Sequence, residues 1–530
     1  MKAAAYFVIL LELLAMELQA GFLIYPRILE SRSDDGTLLL HINEGLILRL
    51  QKSLILADDL FISTKAIDID TFILYGRQLE YNLYHNQHHQ SAVFIEILEH
   101  GVEVRGMLTN QLRINPVIDA QRSQNRTPLH EVVNVRERTD SSGKSDEMTT
   151  SLQSNDYTSP TYDDGEEDES AEAQECGSDV SSETDGNTRT PERGSTNETF
   201  TVETCFVTSQ NYTNAFKSLS DLIMYLATML NAVGLRFLDM TEPMITFQLN
   251  HVMTSLNDEV LSWKNSQVDI NATLENMKSL AMTGVFNRCD IAVLMTNEDL
   301  VYFEDEEIGS DADGVAFTGG VCGEEKVAAV EDTPHTYNGV HRLAHEVAHI
   351  LGASHDNASA LETFPGYPGS ESCPWLHGYL MSYCEGRRNR YTLSNCSRNQ
   401  VRFIYRTLGK ECTDVSEEAC YTSDFYPGMN ITRREFCKLM HLGEPTAKPE
   451  HKRSSRHEQC RIKCCWKDED FGGVCQVHYM SEGLKCGPSK TCKRGVCARH
   501  QWNKSIRRSA LTQHTNLIPS NKAFQHYFLQ

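Results

Sequence analysis

His345, His349 and His355 are the residues on which chemistry can be built, because their type and spacing suit a divalent metal ion. They fall in the run His345-Glu346-Val347-Ala348-His349-Ile350-Leu351-Gly352-Ala353-Ser354-His355-Asp356. Histidines four apart lie one above the other on one face of a helix. Gly352 lets that helix stop and the backbone turn at positive φ, which carries His355 back as a third donor. Three nitrogens leave one tetrahedral position open, the arrangement of a catalytic rather than a structural zinc ion. Glu346 sits beside the pair, placed to act as general base on water, so the chemistry is hydrolysis. The competing explanation is a chance pair of helical histidines. The added glycine, third histidine and aspartate at fixed offsets argue against it. His341, one turn earlier on nearly the same face, reads as a partly exposed surface histidine, since His355 already completes the set.

Downstream, Cys373-Pro374-Trp375-Leu376-His377-Gly378-Tyr379-Leu380-Met381-Ser382-Tyr383-Cys384 places a methionine in a tight turn. A thioether beneath the imidazoles packs an apolar floor and stiffens their orientation. Met381 alone is weak, because most methionines fill cores; joined to the helix motif it carries weight.

With both motifs in view, the chain resembles the reprolysin-like (adamalysin) branch of the metzincins, whose mark is His355-Asp356 closing the extended motif. The resemblance implies a zinc metalloendopeptidase made as a zymogen. One Zn2+ would be held by His345, His349 and His355, with Glu346 as the catalytic residue and Met381, Gly352 and Asp356 as structural support. It also implies a Ca2+ ion, with Glu203 and Asp290 at two ligand positions.

The elements that must hold these residues follow an α/β pattern. Thr199 to Thr208 reads as a β-branched opening strand, and Phe216 to Val233 as an amphipathic helix. Met244 to Leu249 is a further strand, and Asp290 to Thr296 a central buried one. Gly314 to Phe317 resembles the family's edge strand, to which an extended substrate would add itself. The fold class is therefore an α/β metzincin catalytic domain, a twisted and mostly parallel sheet with helices and a zinc cleft, over about 198–412.

A chain of 530 residues exceeds one domain. Residues 1–20 read as a secretory signal, with Lys2, an apolar run from Ala3, and small Ala20 and Gly21 near the cleavage point. That run is too short and too charged to span a bilayer, so no transmembrane anchor is expected. Residues 21–197 resemble the family's prodomain, with strand-like runs at Gly45 to Leu50, Ala92 to Leu98 and from His130. From about 139 the segment is acidic and reads as disordered, and it carries much of the net charge of −24. Seventeen cysteines and eight Asn-x-Ser/Thr sites fit an oxidising, glycosylating export route. One of those sites, Asn357, follows the zinc motif directly.

Cys176 lies in Glu175-Cys176-Gly177, and setting it aside leaves sixteen cysteines, an even number. The family keeps its zymogen latent through such a thiolate on the open metal position. The acidic neighbours oppose that role, and a disulfide partner or an idle thiol are the alternatives. Arg189 to Arg193 marks the expected junction with the catalytic domain.

Residues 413–500 are cysteine-rich and poor in core-forming residues, so disulfides must hold them. For Cys464-Cys465, disulfides outweigh metal binding in an exported chain. The layout is similar to that of secreted salivary metalloproteases of blood-feeding ticks. Basic stretches before Cys460 and in the tail 501–530 suit sulfated glycans or acidic surfaces, and equally a solvated face with no partner. Nothing points to nucleic acid. The expected partners are extracellular proteins as substrates, matrix or fibrinogen by resemblance. The alternative function is an extracellular binding protein acting through its cysteine-rich domain, with proteolysis incidental.

Overall fold

Thr199–Thr208 is buried along almost its whole length on both faces, as a β-branched run in the middle of a parallel sheet should be. The computed structural model describes residues 21–30, 37–64, 71–98, 101–117, 127–134, 147–149, 198–254, 260–304, 307–383, 388–415, 428, 431–442, 444–450, 459–468 and 472–500. The signal segment, Cys176, Arg189 to Arg193 and the tail 501–530 lie outside the described residues.

Thr199–Thr208 pairs in parallel with Met244–Thr254 on one side and Ile291–Thr296 on the other. Ile291–Thr296 pairs in parallel with Val327–Glu331, which in turn takes Gly314–Thr318 antiparallel. The expected strands are all present, and Met244–Thr254 runs further than its apolar core suggests. The helix expected from Phe216 spans Leu219–Arg236, because Ser218 caps it by accepting a bond from the Asp221 N–H. Nearly every residue of that helix is buried, so it is a core element rather than an amphipathic surface helix.

Two features depart from the sequence reading. Gly314–Thr318, expected as an open edge, carries Glu147–Thr149 in parallel register, Glu147 opposite Ala316 and Thr149 opposite Thr318. Those three residues belong to the tract whose composition reads as disordered. An unpaired strand edge offers a row of N–H and C=O groups to any nearby extended chain, and a short segment without Pro or Gly can take it. At the opposite edge, Leu56–Thr64 pairs in parallel with Met244–Thr254, and Thr71–Tyr75 extends the sheet antiparallel. The eight-stranded sheet is therefore built from both the N-terminal and the catalytic segments.

The rest of the N-terminal segment forms a nine-stranded antiparallel sheet with its own core around Leu40, Leu48, Val93 and Val104. The C-terminal module has a helix, Arg433–Met440, closed by a capping box between Thr432 and Glu435. Its hairpin pairs Arg461–Asp468 with Gly472–Tyr479. Four disulfides brace it, Cys437–Cys464, Cys460–Cys492, Cys465–Cys475 and Cys486–Cys497, so both members of Cys464-Cys465 are in disulfides as expected.

The helix that carries the histidine motif spans Val340–Ile350 and has no side-chain cap of its own. Its start is held instead by Asp332, whose Oδ1 accepts the Gly339 N–H at 2.8 Å. The hydroxyls of Tyr212 and Tyr225 donate to Asp332 Oδ2 at 2.7 and 2.9 Å. Burial pushes the Asp332 carboxyl up to about 6 despite these donors. A carboxyl raised in the folded state favours folding below its unfolded value of about 3.9 and loses that contribution as pH rises towards 6. Replacing Asp332 with Asn should destabilise the protein by about 1–3 kcal/mol. It should also remove this group's falling stability between those two pH values, seen by comparing thermal melts of both proteins across the range.

Candidate metal centre

Helical spacing puts His345 and His349 on one face of Val340–Ile350, and both are buried. Gly352 then turns at φ 108°, a region open to glycine. A Cβ there would come within 2.3 Å of Ile404 Cγ1, so the turn is also pressed against the helix Asn395–Tyr405. The returning loop is fastened on several sides. Tyr367 Oη donates to the Gly352 carbonyl at 2.7 Å, Gln400 bonds Ser354, and Ser370 Oγ donates to the His355 carbonyl at 2.6 Å.

These constraints bring the three imidazoles together. His355 Nε2 lies 3.1 Å from His345 Nε2 and 3.2 Å from His349 Nε2. The tautomers follow from the groups outside. His345 Nδ1 lies 2.8 Å from the Leu380 carbonyl, and His349 Nδ1 lies 2.7 Å from the Ala353 carbonyl. A carbonyl oxygen only accepts, so both Nδ1 atoms carry the proton and both Nε2 atoms present lone pairs inward. Tyr383 Oη contacts His355 Nδ1 at 2.6 Å. Buried lone pairs converging on one point repel unless a cation lies between them. The donor set is that of a zinc site, and the backbone carbonyls behind it match the outer partners that ligating histidines use.

Glu346 is fully buried on the same helix. The strand Gly314–Thr318 passes so close that a Cβ on Gly314 would sit 2.7 Å from Glu346 Oε1. Met381 is fully buried, and its carbonyl accepts the Asp356 N–H at 2.8 Å. Asp356 is bonded to groups other than the triad. Its Oδ1 accepts from Ser394 Oγ at 2.6 Å, which ties the motif to the first turn of Asn395–Tyr405, and burial pushes it up to about 6. The disulfide Cys373–Cys396 joins the segment before Met381 to the same helix. His341 is half-buried and stays outside the triad, its pKa driven well below the usual value by burial and then by Arg390 and Arg342.

A second acidic cluster lies apart from the histidines. Glu203 N–H donates to Asp290 Oδ2 at 2.8 Å, and Asn250 Nδ2 donates to Glu203 Oε1. Burial pushes Asp290 up to about 7, the Glu203 carboxylate adding to the effect and Lys326 opposing it. The disulfide Cys322–Cys412 passes beside Asp290.

Sequence reasoning missed Tyr383 and Gly314 as site residues. Tyr383 follows Met381 by two, so the turn that presents one presents the other. Gly314 had no signal beyond opening a strand. The basic stretch 451–458 lies outside the described residues.

Known proteins similar to this chain are metallopeptidases. A reprolysin family model, Metallo-peptidase family M12, matches residues 196–394. A Bombyx mori protein, "A disintegrin and metalloproteinase with thrombospondin motifs like", is 26% identical over 56% of this chain and 42% of its own length. The venom metalloproteinase antarease TserMP_A of Tityus serrulatus is 27% identical over 40% of this chain and 58% of its own length. The antarease-like TserMP_B of the same scorpion is 27% identical over 40% of this chain and 95% of its own length. The chain thus spans about half the length of the first two.

Gly314→Ala should keep the fold and metal content while displacing the Glu346 carboxylate, so hydrolysis falls by at least about tenfold, the scale of a misplaced catalytic group. Peptidase assay together with elemental analysis checks this. Gly352→Ala should instead lower stability by about 1–3 kcal/mol, the cost of a forced backbone conformation, read from denaturant unfolding.

Proposed function

From the premise that the chain carries a reprolysin-type metallopeptidase domain of family M12, we propose that it is a secreted zinc metalloendopeptidase held latent by its N-terminal segment. The observation that supports this most is the pair of backbone carbonyls at Leu380 and Ala353, which commit His345 and His349 to inward lone pairs. His345, His349 and His355 would hold the ion, with Glu346 beside them. Zinc bound there supplies a water acidic enough to lose its proton near neutral pH and a positive charge for the developing oxyanion. Glu346 accepts the proton at its carboxylate and returns it to the departing amine nitrogen. Its burial excludes bulk water from that exchange. Tyr383 holds His355 from the solvent side, and Met381 with Gly352 keeps the imidazoles in register.

The outer edge of the strand Gly314–Thr318 runs beside Glu346 and would pair with an extended peptide, which favours a polypeptide substrate over a compact one. In this structure Glu147–Thr149 takes that edge, so a substrate must displace it; this supports the zymogen reading. Seven disulfides among the described residues support export through an oxidising compartment. Among those residues no helix is long and apolar enough to cross a membrane. Extracellular proteins are the proposed substrates. Glu203 and Asp290 are proposed to share a calcium ion, which would relieve the repulsion that Lys326 only partly offsets.

Glu346→Ala should retain stoichiometric zinc while casein hydrolysis drops by about 10²–10⁴-fold. A variant that cleaves casein at the wild-type rate removes Glu346 from the mechanism. Adding calcium at about 1 mM should raise the melting temperature of the wild type and leave Glu203→Gln unchanged. Equal shifts in the two proteins refute a shared ion at that pair.

A further inference from the structure

The N-terminal segment is joined to the catalytic domain by strand pairing and packing as well as by the connecting chain. Leu56–Thr64 is not laid over a finished surface but inserted into the sheet, in register from Phe61 opposite His251 to Thr64 opposite Thr254. Leu249 N–H donates to the Ile55 carbonyl at 2.7 Å, and Ser63 Oγ bonds His251 Nε2 at 2.8 Å. Both faces of the inserted hairpin are buried. Leu60, Phe61, Ile62, Phe72, Ile73 and Leu74 are each no more than 4% exposed.

Covering comes from two directions. On the catalytic side, Leu60, Ile62, Phe72 and Leu74 share one continuous core with the long helix Leu219–Arg236. At the hairpin's outer edge, Ser481 Oγ and the Glu482 N–H both donate to the Ile73 carbonyl, at 2.8 and 3.0 Å, and Phe436 of the C-terminal module joins the shared core by meeting Phe72 edge to face. The hairpin is therefore wedged between the catalytic sheet and the C-terminal disulfide module. The long helix makes the same point from the sequence. Leu-Ile-Met-Tyr-Leu-Ala-Thr-Met-Leu leaves it apolar on all sides, which suits a helix covered on every face. Part of that cover is N-terminal, since Asn231 Nδ2 donates to Ser53 Oγ at 2.8 Å and Arg236 bonds Gln90 and Asn110.

We propose that residues 21–134 are a lasting, non-covalent subunit of the protease, which stays seated in the catalytic sheet after the chain is cut ahead of residue 198. Departure would expose the apolar helix and leave the long edge of Met244–Thr254 unpaired, an outcome that water and aggregation both penalise. No disulfide can account for retention, because residues 21–134 contain no cysteine. Opening of the cleft is then a local event at Glu147–Thr149, separate from loss of the segment. The proposal rests on the zymogen reading only for the occasion of the cut, and its test reads mass rather than activity.

The test uses the full chain with a site for a sequence-specific protease inserted between Thr190 and Pro191, in the Glu346→Ala background so that autolysis plays no part. After complete cutting, verified on a denaturing gel, both fragments should co-elute in native size exclusion at the volume of the uncut chain. They should separate only in strong denaturant. An N-terminal fragment that elutes by itself in native buffer overturns the proposal, whether the remainder stays soluble or precipitates.

Discussion

Two hydrogen bonds from side chain to backbone govern this molecule. Imidazole can place its proton on either nitrogen, and only one choice makes a ligand of the other. The carbonyls of Leu380 and Ala353 impose that choice on His345 and His349. Each carbonyl is held by its own neighbourhood. Leu380 sits in the turn that also buries Met381, and Ala353 follows the glycine that ends the ligand helix. The convergence of the imidazoles is thus an outcome of where two loops run, and the helix supplies only the spacing.

Those loops are fixed by the helix Asn395–Tyr405 more than by one another. Ile404 blocks any side chain at Gly352, Gln400 bonds Ser354, and Ser394 takes Asp356 at the helix start. The aspartate that closes the histidine motif therefore acts at a distance from the imidazoles, by joining the motif to the element that shapes the turn. Asp332 does the equivalent work at the other end, holding Gly339 where the ligand helix begins. Both carboxyls are buried and raised in pKa, so the site is framed by groups whose charge carries a desolvation cost.

The sheet shows how a protease domain can be shared between segments of the chain. One of its edges lies at the active centre and the other far from it, and the N-terminal segment takes both. The contacts differ in kind. Near the cleft there are three residues of backbone pairing, whereas at the far edge a hairpin is buried on both faces. A short backbone pairing can exchange with a peptide; a two-faced apolar contact resists exchange. The exchangeable contact and the buried one thus sit in different parts of the same segment.

The convergence of three histidines beside a glutamate, and the strands around them, were legible in the sequence because they depend on local periodicity. Histidines four apart, a glycine at the helix end and short β-branched runs each encode their own geometry. Disulfide bracing of Cys464 and Cys465 was legible from composition and compartment. What the sequence left undecided depends on contacts between residues far apart in the chain. Nothing local distinguishes Tyr383 as the partner of His355, or Gly314 as the residue pressed on Glu346. The helix Leu219–Arg236 read as amphipathic, and neither its burial on nearly every side nor what buries it was assigned, since a hydrophobic face carries no address. Only the assembled fold shows that part of the cover is the N-terminal segment, because strand pairing and packing are settled by which surfaces meet.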